Sequence, residues 1–194
     1  MQIFRKKYHL PGTAPGTLIH VPDSNVDSKS LRIDVVNYGG KQIDFCTDID
    51  IENCQSCINE KLITWVHICG PVEPTLLKKM GGLFDLHPLA LEDVINHGQR
   101  PKVEFYDKQI FVIVNMPTIV NEEIIVEQVS IFCGDGYIIS FHDQTNDDAY
   151  NILYKRLEKN TNNIRHFGSD YLLYVLLDLV VDSGFPTLEN WAIN

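Results

Sequence analysis

The run Ile110-Phe111-Val112-Ile113-Val114 constrains this chain more than any other segment. Consecutive apolar residues rich in β-branched side chains favour a strand. A strand sends successive side chains to opposite faces, so this one is apolar on both. Such a strand needs cover above and below, which places it at the centre of a sheet. Its neighbours suit that position. Val103 to Phe105 precedes it across the turn Tyr106-Asp107-Lys108, and Ile124 to Cys133 follows. Gly134-Asp135-Gly136 then leads into Tyr137 to Phe141, and Asp-Gly between two apolar runs is a hairpin signal.

A second strand block lies upstream. Leu31 to Tyr38 alternates, Gly39-Gly40 predicts a tight turn, and Gln42 to Thr47 returns. Leu62 to Cys69 is β-rich and stops at Gly70-Pro71. His9 to Gly16 reads as an irregular arm and Thr17 to Val21 as a short strand. Helical spacing marks four regions: Glu73 to Phe84, His87 to Asn96, Asp147 to Lys159, and Ser169 to Asp182. Asp50 to Asn59 reads as a short helix, and Gly184-Phe185-Pro186 is expected to bend or break the last one. Strands and helices in this order, with hairpins in both strand blocks, predict an α/β fold of the α+β type, a mixed parallel and antiparallel sheet with helices packed on it.

The formal net charge of −10 disfavours nucleic acid, whose phosphates such a surface repels, and suits metal cations or basic partners. No apolar stretch follows the basic cluster Arg5 to Lys7, so no secretory signal is read there. The apolar run Tyr171 to Val181 is interrupted by Asp178 and falls short of the ~20 residues of a membrane helix. The cysteines number five, irregularly spaced, and are expected as free thiols. Cys54-Gln55-Ser56-Cys57 is a CxxC without the second pair that a structural zinc site needs. No arrangement of the seven histidines, and no glycine-rich or nucleophile motif, points to an enzyme.

Two helices carry carboxylates worth placing on a wheel. In His87 to Asn96, Leu91, Val94 and Ile95 share the face that should enter the core. Glu92, Asp93, Asn96 and Leu89 fall on the other side. Paired carboxylates there could bind a hard cation, although a solvated face is the more ordinary explanation of the wheel alone. In the last helix Leu172, Leu173, Leu176 and Val180 make the expected buried stripe, with Asp178 and Asp182 four apart on the opposite face. Like charges at that spacing repel mildly, and a cation or basic neighbour would relieve them.

The strings Trp65-Val66-His67-Ile68-Cys69-Gly70, His87-Pro88-Leu89-Ala90-Leu91-Glu92-Asp93-Val94 and Gln99-Arg100-Pro101-Lys102-Val103-Glu104-Phe105 resemble the CorA family of magnesium and cobalt transporters. Pro15-Gly16-Thr17-Leu18 with His20, Glu127 to Ile131, Asp170 to Tyr174, and Asp178 to Pro186 extend the resemblance over nearly the whole chain. It implies an α/β/α sandwich spanning 1–168, closed by a helix over 169–194 that leads toward a stalk. It also implies a homopentamer in the plasma (inner) membrane, with this soluble domain on the cytoplasmic side, two membrane helices and a Gly-Met-Asn signature. The sequence holds neither that tripeptide nor a membrane span, so the resemblance concerns the regulatory part. Family ligands for regulatory Mg2+ map onto Glu92, Asp93 and Asp178, between neighbouring subunits. Co2+ or Zn2+ are alternatives, the latter for a zinc transporter of the same superfamily. A stand-alone metal-binding regulator and a CxxC thiol protein are the rival readings from other classes.

Overall fold

The computed structural model describes Gly16, Leu18 and residues 31–120, 123–142 and 148–193. Apart from Gly16 and Leu18, the expected arm over 9–16 and strand over 17–21 lie outside the described residues. The strands are β1 (Arg32–Gly39), β2 (Gln42–Cys46), β3 (Ile63–Cys69), β4 (Lys102–Tyr106), β5 (Gln109–Val120), β6 (Glu123–Gly134) and β7 (Tyr137–His142). They form one sheet in the order β2-β1-β3-β7-β6-β5-β4. The β3–β7 pair is parallel and every other pair antiparallel, so the sheet is mixed, as expected.

The helices are α1 (Cys54–Cys57), α2 (Pro74–Phe84), α3 (Pro88–Ile95), α4 (Asp148–Glu158) and α5 (Ser169–Ile193). The short helix expected over Asp50 to Asn59 is a 3₁₀ turn at Ile51–Asn53 running into the single turn of α1. The sheet divides the core in two. On one face Leu76, Leu77 and Met80 of α2 and Ala90, Leu91, Val94 and Ile95 of α3 pack on Val66, Ile68, Phe111, Ile113 and Phe132. On the other, Tyr150, Leu153 and Leu157 of α4 and Leu172, Val175, Leu176 and Val180 of α5 pack on Trp65, Val112, Val129, Ile131 and Ile138. Phe111 and Ile113 thus point into one core and Val112 into the other, the two-sided burial that the apolar run demands. Each such aliphatic or aromatic side chain contributes roughly 1.5–3 kcal/mol on burial.

Two expectations for α5 change. Val175 is buried where Leu173 was expected, Leu173 being only partly covered. The helix also continues through Pro186 to Ile193. Proline removes one backbone donor, here the one that would reach the Asp182 carbonyl, and that single loss does not stop the helix.

Candidate divalent-cation site

The local sequence orients α3 firmly. Pro88 occupies its first turn, and a ring nitrogen of His87 accepts a hydrogen bond from the Leu89 amide at 3.3 Å, satisfying an orphan donor. The His87 ring stacks on Tyr106 with centroids 4.1 Å apart, which ties the helix start to the edge strand β4. At the other end the Gln128 amide donates to the Asp93 carbonyl oxygen at 3.0 Å and its own oxygen accepts from the Gln99 amide, joining the end of α3 to β6. With one stripe buried, Glu92 and Asp93 come to the rim, half-buried, and Leu89 stays 42% exposed.

Both carboxylates are engaged. Glu92 Oε2 accepts from the backbone amide of Gly16 at 2.6 Å. Asp93 Oδ2 pairs with Lys102 Nζ at 2.7 Å, and the same ammonium reaches Glu104 Oε1 at 2.8 Å. The Tyr106 hydroxyl donates to Glu104 Oε2 at 2.7 Å. Partial burial alone would lower the Lys102 ammonium, but its hydrogen bonds to Asp93 and Glu104 outweigh that and raise it. Glu104 is held below the ordinary carboxylate range by Lys102 first and Tyr106 second. Lys102 is the member of this cluster that sequence reasoning missed. It stands in the Arg100-Pro101-Lys102 string, but nothing local says that an edge strand will lay it against α3.

Asp178 is also half-buried, but it sits on α5, whose stripe packs on the opposite face of the sheet. The structure therefore brings Glu92 and Asp93 together and leaves Asp178 on the far layer. Among the described residues no group of three or more His, Cys, Asp or Glu side chains is placed to hold a metal ion. The nominated donors are all carboxylate oxygens, which fits a hard cation such as Mg2+. The thiols do not offer a better set. Burial pushes Cys54 up to about 11, and a hydrogen bond with Cys57 followed by burial takes Cys46 to about 11. That direction is away from the thiolate which soft metals and thiol chemistry require.

Residues 60–192, more than half of the chain, match the family model described as CorA-like Mg2+ transporter protein. The chain belongs to this CorA family. It is 32% identical over 181 residues to the cobalt/magnesium transport protein CorA of Thermotoga maritima, covering 92% of this chain and 50% of that relative. It is 31% identical over 122 residues to the putative metal ion transporter YfjQ of Bacillus subtilis, covering 63% of this chain and 37% of the relative. The chain thus spans half or less of the length of these relatives. In fold it resembles the complete CorA magnesium transporter of Methanocaldococcus jannaschii, with TM-score 0.60 and 14% identity over 82% of this chain and 47% of that one. The soluble domain of the same CorA gives TM-score 0.58 at 17% identity, over 81% of this chain and 60% of that one. No helix among the described residues is long and apolar enough to cross a membrane.

Proposed function

We propose that this chain is the cytoplasmic, divalent-cation-sensing domain of a CorA-type Mg2+ and Co2+ transport protein. Glu92 and Asp93 of one copy would share a hydrated Mg2+ with Asp178 of a neighbour. One observation carries the reading: the carboxylates of α3 and of α5 lie on opposite outer layers of one sandwich. Only a second copy, setting its α5 layer against the first copy's α3 layer, brings them into one place. A contact between two different faces is head-to-tail, and head-to-tail contacts that close make rings, which suits a homopentamer.

Mg2+ keeps most of its water and takes one or two carboxylates, so a site on such a seam is weak and responds to changing cation levels. With the cation bound, the acidic faces attract and the closed arrangement is favoured. Without it they repel. The cation shifts this balance only by its differential affinity for the two arrangements. In the whole protein this would control the gate of a pore in the plasma membrane.

The test is calorimetric titration of Mg2+, Co2+ and Zn2+ into the chain and into a Glu92→Ala/Asp93→Ala/Asp178→Ala variant, with light scattering on both. Weak Mg2+ or Co2+ binding that disappears in the variant, with cation-dependent association, is the expected result. Equal Mg2+ binding in the variant, or tight Zn2+ binding that survives it, would reject these carboxylates as the sensor.

A further inference from the structure

Three of the five cysteines gather where one edge of the sheet meets α1. Cys46 ends β2, the strand at one end of the sheet order. Cys54 and Cys57 open and close the single turn of α1. In the register of the sheet Cys46 stands opposite Val35, and Asp44 opposite Asn37. Residues that stand opposite each other share a face. On β1, Ile33 and Val35 point into the core under α2 and α3. Cys46 therefore points to that face, and so does Asn37, two residues beyond Val35.

Asn37 brings the second thiol to the same place. Its buried side-chain amide donates to the Cys57 carbonyl at 2.7 Å. Its oxygen accepts from the Asn59 amide at 3.1 Å and from the Thr64 hydroxyl at 2.8 Å. The end of α1 is thus pinned to β1, while the Lys79–Glu52 ion pair ties the preceding turn to α2. Cys46 and Cys57 both pack on the buried cluster that contains Cys54, and their thiols hydrogen-bond to each other. All three are free thiols, Cys54 buried and the other two half-buried.

The CxxC of the sequence is Cys54 with Cys57, but the structure pairs Cys57 with Cys46. Cys54 has no exposed surface, so no oxidant reaches it, and burial pushes its thiol up to about 11. It stands by. Cys46 is pushed up to about 11 as well, by the hydrogen bond with Cys57 first and burial second. A thiol attacks only as its thiolate, so Cys46 is the sulfur that reacts second. Cys57 is left to react first.

We propose that Cys46 and Cys57 form a reversible disulfide by exchange with a low-molecular-weight disulfide of the glutathione class, stapling the β2 edge to α1. Cys57 loses its proton and attacks one sulfur of the small disulfide. That S–S bond breaks, and the first small thiol leaves with the proton. Cys46 then loses its proton and attacks the Cys57 sulfur of the mixed disulfide. The second small thiol leaves with that proton. Two protein thiols are oxidised to one disulfide, and one small disulfide is reduced to two thiols. Excess small thiol runs both steps backwards, so in a reducing compartment the bond is transient and follows the state of the thiol pool. The native fold already holds the two sulfurs in contact, so the bond closes without parting β2 from α1. Closing a loop of this size should lower the unfolding constant about a hundredfold.

The test is mass spectrometry of the whole chain equilibrated in glutathione buffers of rising oxidised-to-reduced ratio, with free thiols alkylated before digestion. Cleavage after Glu52 separates Cys46 from Cys54 and Cys57, so the crosslink shows as fragments that stay joined until reduced. Wild type and Cys54→Ala should both form it and retain no glutathione at this site. Cys46→Ser should stop at the mixed disulfide on Cys57, and Cys57→Ser should form no crosslink. In denaturant the oxidised wild type should unfold with a constant about a hundredfold below that of the reduced chain. The wild-type readings stand even if a variant does not fold. A wild type that stays reduced at every ratio, stops at the mixed disulfide, joins Cys54 to Cys57, or is less stable when oxidised would overturn the proposal.

Discussion

Lys102 is the residue on which the α3 acidic cluster turns. Its ammonium lies 2.7 Å from Asp93, where a cation would otherwise approach. It acts as a built-in competitor of the proposed cation, and Lys102→Gln should tighten Mg2+ binding several-fold in calorimetry. Unchanged or weaker binding would show that Asp93 does not ligand the ion. The same pair has a modest pH signature. Glu104 is held low by Lys102, so its contribution is present above the unfolded value of ~4.3 and fades as pH falls through the folded one. Because both groups are partly exposed, solvent screening keeps the gain below about 1 kcal/mol. The outward placement of Glu92, Asp93 and Leu89 was legible from helical spacing, since the core stripe leaves them no other side. Their partners were not, because Gly16 and Lys102 reach them from other elements.

In α2 the Gly81-Gly82 pair weakens a helix that its neighbours otherwise support. The structure separates the two glycines. A β-carbon on Gly81 would lie 2.7 Å from Leu91 Cδ1, so this glycine is where α3 packs closely. A β-carbon on Gly82 would meet nothing within 4 Å. Gly82→Ala should therefore raise stability by about 1 kcal/mol, whereas Gly81→Ala should lower it, both read by denaturant unfolding. Asp85, the residue after the last one of α2, lies in the left-handed region with φ 52°, where its amide donates to the Gly81 carbonyl. Asp85→Gly suits that position better and should stabilise by roughly 0.5–1 kcal/mol.

At the scale of the whole molecule the two acidic faces make a complementation test. A Glu92→Ala/Asp93→Ala protein keeps its α5 face and an Asp178→Ala protein keeps its α3 face. Neither alone should associate with Mg2+, but a mixture should form one intact seam and show Mg2+-dependent heterodimers in light scattering. A mixture no more associated than its components would exclude the head-to-tail contact. The parallel β3–β7 pair decides this geometry, because it joins the two strand blocks into one sheet with a helical layer on each side.

The chain's own order of residues was enough for the strand blocks, the helices that follow them, the double-sided burial of β5 and the resemblance to CorA. Those signals are local: alternation at two residues, recurrence at three and four, glycines at turns, and strings read in register. Tertiary structure alone placed α3 and α5 on opposite faces, set Lys102 beside Asp93, and aligned His67 with His142 across 75 residues. Such pairings depend on the order and register of strands that are distant in the chain. Their polar partners leave no periodic trace, because each strand contributes only one or two of them and burial joins them only when the sheet closes.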